Sequence, residues 1–228
     1  MARQLTWLGH GSWLLETGTH SILLDPFLND SPTSPVKAED LSPDYILISH
    51  GHFDHLSDAA SIANRTQAPL VAIYEIAEWF QKQHGVASTV GMNLGGAVQL
   101  PFGSVKMTNA LHSSQLPDGS YGGNPAGFLV TLEDLTLYFA CDTALFGDMQ
   151  LIGQAGIDIA VLPIGDLFTM GPDDAVAATK LIQPKRVLPA HYNTWPPIEQ
   201  DAEAWAAKVR EQTDAEPIVI EPGQSVSL

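Results

Sequence analysis

Short runs of apolar and β-branched residues recur along the chain at Gln4–Leu8, Trp13–Glu16, Ser21–Leu24, Tyr45–Ile48, Leu70–Ile73, Val105–Leu111, Gly127–Leu132, Leu135–Ala140, Ile159–Pro163, Val187–Pro189 and Ile218–Ile220. Their length and residue types predict strands. Between them, apolar residues return at three- and four-residue steps near Asp58–Arg65, Glu75–Gln83, Phe146–Ala155, Pro172–Ile182 and Glu199–Gln212, which predicts helices. Ile198, Ala202, Trp205 and Val209 show that step plainly. Hairpin-like strands followed by strand–helix alternation predict an α/β domain with helices covering mixed sheets. No linker divides the chain, so residues 1–228 are read as a single domain. The stretches Asn29–Pro43, Gly91–Gly96 and Gly119–Gly127 read as surface loops, of the kind that often wall a site.

With 228 residues, 45% hydrophobic and 16% charged, the chain has the composition of a globular protein. Ten basic against 26 acidic residues give a formal charge of −16, which opposes nucleic acid and anionic membrane surfaces at long range. No apolar run approaches the roughly 20 residues of a membrane span, and no basic patch leads into an apolar stretch at the N-terminus. The expectation is a soluble cytoplasmic protein acting on a small molecule, bound to neither nucleic acid nor membrane. Cys141 is the one cysteine, so an internal disulfide and a cysteine-rich zinc site are both excluded.

The densest chemistry follows the strand Tyr45–Ile48, where Ser49 leads into His50-Gly51-His52-Phe53-Asp54-His55 ahead of a helix that Ser57 or Asp58 could cap. In extended backbone, residues two apart face the same way, so His50 and His52 can present imidazoles to one metal ion. The chain then turns, letting Asp54 and His55 point toward a second position. Four such ligands do not close a two-metal site. The remaining candidates are His112, Asp142 and His191, each read as ending a predicted apolar strand. Alternation would send Cys141 to the face opposite Asp142, as an inert core thiol. His20 and His84 lie outside these segments and are read as structural or surface residues.

The pattern His50-x-His52-x-Asp54-His55, then His112, Asp142 and His191 in that order, resembles the metallo-β-lactamase superfamily over nearly the whole chain. Trp7-Leu-Gly-His10-Gly-Ser12, Leu24-Asp25-Pro26, Gly91-Met-Asn-Leu-Gly-Gly96 and His191-Tyr192-Asn193 resemble a small branch of single-domain hydrolases related to ascorbate-phosphate lactonases. The resemblance implies a four-layer αβ/βα sandwich with two mixed β-sheets and the metals at one edge. It also implies that His50, His52 and His112 hold one ion, that Asp54, His55 and His191 hold another, and that Asp142 bridges them. Nitrogen and carboxylate ligands without thiolate suit Zn²⁺ foremost, and also Mn²⁺, Ni²⁺ or Fe²⁺.

The implied reaction is hydrolysis by a metal-bridging hydroxide, with a small ester, lactone or phosphoester as substrate and no Ser or Cys nucleophile. Asp54 is the candidate for proton transfer, and His10 for a further catalytic polar group near the substrate. Asp25 is a candidate acceptor fixing an imidazole's tautomer. Few basic residues adjoin these motifs: Lys106 is roughly 20 Å of strand away from His112, and Arg186 should face away from His191. An anionic substrate would then rely on backbone amides of Gly119–Gly127, on Asn124 and Asn193, or on the metals. The alternatives are a β-lactam hydrolase and a non-catalytic metal-binding module. Di-iron oxygen or nitric-oxide chemistry is disfavoured by His52, where that branch carries Glu, and RNA processing by the absence of a basic surface.

Overall fold

Apolar runs that are covered on both faces become parallel strands, and the more alternating ones become antiparallel strands beside them. The computed structural model describes residues 3–228. In chain order it holds β1 (Arg3–Trp7), β2 (Trp13–Thr17), β3 (Ser21–Leu24), β4 (Tyr45–Leu47), α1 (Phe53–Leu56), α2 (Ala59–Thr66), β5 (Leu70–Ile73), α3 (Tyr74–His84) and β6 (Thr89–Met92). There follow β7 (Ala97–Leu100), β8 (Gly103–Asn109), β9 (Ala126–Thr131), β10 (Thr136–Phe139), α4 (Met149–Gly153) and β11 (Ile159–Pro163). The chain closes with α5 (Pro172–Ile182), β12 (Arg186–Ala190), α6 (Ala202–Gln212), β13 (Glu216–Pro217) and β14 (Ser225–Ser227).

The strands form two seven-stranded mixed sheets, ordered β14-β1-β2-β3-β4-β5-β6 and β13-β12-β11-β10-β9-β8-β7. Each sheet is antiparallel at one end and parallel at the other, the change falling at β3 in the first and at β10 in the second. Helices flank the sheets: α3 packs on β5 and β6, while α5 lies between α4 and α6. This is the α/β sandwich that the sequence resemblance implies. One hydrophobic cluster extends from Leu5 to Ala215 with both sheets contributing, and Trp13, Trp205, Tyr138, Phe80 and Phe128 are its largest fully buried side chains. No helix among the described residues is long and apolar enough to cross a membrane.

Strand direction decides where the chemistry gathers. In the first sheet β1, β3 and β4 all run the same way, and in the second so do β8, β10 and β12. Their C-terminal ends deliver the segments holding His10, Asp25, His50–His55, His112, Asp142 and His191 to one edge of the sandwich, the usual place for ligand sites in such sheets. Two backbone hydrogen bonds tie the sheets together there, Ala126 N donating to Ser49 O at 3.0 Å and His191 N to His10 O at 3.1 Å.

Several boundaries differ from the sequence expectation. β8 stops at Asn109 and β10 at Phe139, so His112 and Asp142 sit three residues beyond their strands instead of ending them. Ile218–Ile220 is not a strand: Ile218 N makes one ladder bond to Val187 O, and the chain has by then left the sheet edge. The edge strands β6, β7 and β14 carry no run of buried apolar residues and so left little signal in the pattern. Part of the expected loop Gly91–Gly96 therefore belongs to β6. The histidine turn itself contains the short helix α1, and the expected helix Phe146–Ala155 contracts to α4. Asp58 precedes α2 without capping it, because its Oδ2 is taken by the backbone N–H groups of Leu28 at 2.7 Å and Asn29 at 3.0 Å.

Candidate metal centre

The seven candidate ligands converge. The Oδ2 atom of Asp142 lies 3.0 Å from His191 Nε2, 3.4 Å from His55 Nε2, 3.5 Å from His112 Nε2 and 3.9 Å from His50 Nε2. Around it the candidate ligand atoms fall into two groups, His50, His52 and His112 in one, and Asp54, His55 and His191 together with His10 in the other, while a third set, Asp25 with His50 and His55, spans the two. Asp142 stands where both groups meet.

The tautomers follow from the hydrogen bonds that point away from this centre. His55 Nδ1–H donates to Asp25 Oδ2 at 2.9 Å, which leaves Nε2 facing the site, buried and without a hydrogen-bond partner. Ser49 Oγ donates to Asp25 Oδ2, so it accepts from His50 Nδ1–H at 2.9 Å, and His50 Nε2 faces the site without a proton of its own. His52 Nε2 lies 3.2 Å from Ser113 Oγ, and its Nδ1 faces inward, 2.9 Å from His50 Nε2 and 3.2 Å from His112 Nε2. Three inward-facing imidazole nitrogens this close together form a donor set that fits a metal ion.

Electrostatics agree with that fit. Burial pushes the His50 imidazole well below its ordinary range, with the nearby His55 adding to the effect, and burial likewise lowers His52 and His112. A metal takes neutral imidazole, so these three are held in the ligating form. At His55 burial works the other way from the net result: the carboxylates of Asp142 and Asp25 outweigh it and hold the ring well above its ordinary value. Burial also opposes ionisation of Asp142, yet His191 and His55 outweigh it and keep the carboxylate charged. A position that favours a proton's charge favours a metal's charge.

His10 occupies a different position from the one expected of a substrate-facing group. It is fully buried, its Nε2–H donates to Asp54 Oδ2 at 3.0 Å, and its Nδ1 accepts from Thr194 Oγ1 at 2.7 Å. Burial, reinforced by His191, pushes its pKa down to about 3, consistent with a neutral ring. Its influence therefore runs through Asp54, which it orients and helps keep ionised although burial opposes this. We expect His10→Ala to lower metal affinity or turnover by roughly 10- to 100-fold with the fold retained, measured by chelator competition and circular dichroism.

Cys141 departs from expectation too. It lies beyond β10 with φ of 54°, so strand alternation does not place it, and it lines the same small inner cavity as Asp25, His55 and Asp142. Burial, with the neighbouring Asp25 and Asp142 adding to it, holds its thiol well above the ordinary range and so favours the neutral form. His10, Asp25, Cys141 and His191 all adopt left-handed backbone conformations where the chain turns into the site. Such positions concentrate at functional sites. Gly11 answers a different demand: a Cβ there would come within 2.7 Å of His55 Cε1.

Asp25 anchors His55 directly and His50 through Ser49, the role expected of it. We expect Asp25→Asn, which cannot accept as a carboxylate does, to weaken metal binding by roughly 10- to 100-fold. Titration against a chromogenic chelator measures this. Thr194, Ser49 and Ser113 complete the supporting contacts and carried no signal of their own in the sequence. His20 and His84 are remote from the centre, His20 bonding Thr19 and His84 packing on Trp79. Asn124 and Asn193 have their carbonyl oxygens engaged by Tyr121 and Gln200, and Gly119 is the one residue of the 119–127 stretch that lines the cavity beside the centre. That cavity measures about 480 Å³ and reaches His52, Asp54, His112, Asp142 and His191.

A family model described as "Beta-lactamase superfamily domain" matches residues 20–192. A metal-dependent hydrolase from Pelotomaculum thermopropionicum is 44% identical over 99% of this chain and 100% of its own length, and one from Thermus thermophilus is 45% identical over 99% of both. The structure of Igni18, described as a novel metallo hydrolase from Ignicoccus hospitalis, superposes with a TM-score of 0.90 at 36% identity, covering 100% of this chain and 99% of that one. The chain belongs to the beta-lactamase superfamily and, within it, to the UPF0173 family of metal-dependent hydrolases.

Proposed function

We propose that this chain is a two-metal hydrolase that cleaves a small ester, lactone or phosphoester. The observation that carries the reading is the approach of four imidazole Nε2 atoms to the single Asp142 Oδ2, with the open cavity beside them. His50, His52 and His112 would hold one divalent ion, Asp54, His55 and His191 the other, and Asp142 would bridge them. Zn²⁺ suits this nitrogen- and carboxylate-rich set best, with Mn²⁺, Ni²⁺ and Fe²⁺ next. The chemistry such a pair supplies is activation of water near neutral pH and polarisation of a carbonyl or phosphoryl oxygen.

The chain's own residues orient and gate that chemistry. Asp54 reaches the cavity wall with its carboxylate fixed by His10, where it can accept a proton released at the reacting centre. Asp25 keeps the His50 and His55 protons on the far side of each ring, so that their inner nitrogens stay available. A closed structural metal site would have no adjoining cavity, which favours catalysis over mere metal storage.

Metal analysis of protein purified without added metal, followed by metal-replenished assays on lactones and chromogenic phosphodiesters, tests the proposal. The expected result is about two ions per chain with turnover that depends on them. Fewer than one ion per chain under every replenishment condition would overturn it.

A further inference from the structure

The cavity beside the candidate metal centre has walls that discriminate among the substrates left open above. Phe53 and Phe168, each 57% exposed, border it together with Trp195, Leu116 and Pro117. Exposed apolar side chains gathered around one opening mark a binding surface. The wall is also braced: buried Phe27 sits 5.9 Å from both the Phe53 and Trp195 rings, which are themselves 6.3 Å apart, and Trp195 meets the His10 ring edge-on at 5.0 Å. An aromatic surface therefore runs from the opening to the residues beside the ligands.

Charge points the same way. No lysine or arginine is among the residues lining the cavity. Eight of the chain's ten basic side chains bond elsewhere, among them Arg3 with Asp134, Lys185 with Asp158 and Lys208 with Asp173. The other two, Lys106 on β8 and Arg210 on α6, line no part of it. The polar groups at hand apart from the ligands are Ser113 and Gln115, both neutral. An anionic group projecting away from the metals would lose its water against apolar rings and find no countercharge.

We infer that the substrate presents an uncharged, apolar and preferably aromatic group to this wall, while its scissile ester bond lies at the metals. The inference rests on the hydrolase reading above and narrows it. A cavity of about 480 Å³ accommodates a molecule of the size of a phenyl ester or a benzo-fused lactone.

A matched pair of esters tests this: para-tolyl acetate and para-carboxyphenyl acetate, assayed with metal-loaded protein. The carboxylate compound has the better leaving group, so a preference for the tolyl ester reports binding and not intrinsic reactivity. We expect kcat/KM to favour the tolyl ester by about tenfold or more. In Trp195→Ala and Phe168→Ala the ratio should fall toward unity, chiefly through KM, with metal content unchanged. Phe168 stands on an exposed turn, so its variant keeps the test open if Trp195→Ala fails to fold. Equal turnover of the two esters by the parent protein, or a preference for the carboxylate, overturns the inference. If the loaded protein cleaves neither ester, the ester reading of the activity fails separately. Tryptophan fluorescence titration with para-cresol and para-hydroxybenzoate then decides alone: tighter para-cresol binding, weakened in Phe168→Ala, which keeps the Trp195 reporter, upholds the apolar wall, and equal or weaker binding overturns it.

Discussion

Replacing Asp142 with alanine is expected to abolish tight binding of at least one metal ion and to lower turnover on the order of 10³-fold, with the fold intact. The magnitude follows from position. Asp142 Oδ2 is within 3.9 Å of four imidazole nitrogens belonging to both ligand groups, so its loss damages the two proposed sites together. It also removes the countercharge that His191 and His55 face in a buried setting. Metal content per chain, read beside the circular dichroism spectrum and steady-state rates, checks the three parts. Turnover within tenfold of the parent, with full metal content, would remove Asp142 from the centre.

Trp13→Ala is expected to carry the largest cost in stability, about 3–5 kcal/mol. The side chain is 1% exposed on β2, stacks on Trp7 at a centroid distance of 6.0 Å, and Trp7 in turn stacks on Tyr192 at 5.1 Å. Because Tyr192 follows β12, this column joins the two sheets immediately behind the ligands. Trp13 also lines the inner cavity that Asp25, His55 and His191 share, so truncation enlarges a void next to the groups that fix the tautomers. For a chain of this size the melting temperature should fall by roughly 6–20 °C. Calorimetry with and without added metal measures it, and metal should recover part of the loss because it binds the folded state alone.

The residues that converge at the candidate centre were legible in the sequence for a physical reason. The metal requires particular donor types, and those donors fall on a strand end whose apolar run announces itself. The His50–His55 segment shows both features at once. His112, Asp142 and His191 each follow an apolar run within three residues, although β8 and β10 themselves stop short of them. Central strands such as β5 and β11 were visible because burial on both faces demands continuous apolar residues. Edge strands β6, β7 and β14 escape that demand and left no comparable pattern.

What stayed hidden depends on tertiary proximity or on backbone conformation. Nothing in the order of residues says that Thr194 turns toward His10, that Ser49 relays Asp25 to His50, or that Phe27 braces Phe53 and Trp195. Strand alternation does not reach Cys141, which lies two residues past the end of β10 in a left-handed turn. His10, expected as a polar group near the substrate, instead has both its nitrogens engaged in the interior, by Thr194 and Asp54.

The central claim is a pair of metal positions sharing Asp142, and anomalous diffraction from crystals grown with manganese tests it most directly. The account predicts two anomalous peaks roughly 3.5–4 Å apart. One should lie among His50, His52 and His112, the other among Asp54, His55 and His191, with the Asp142 carboxylate touching both. A fully occupied single peak, or peaks away from these side chains, would contradict it.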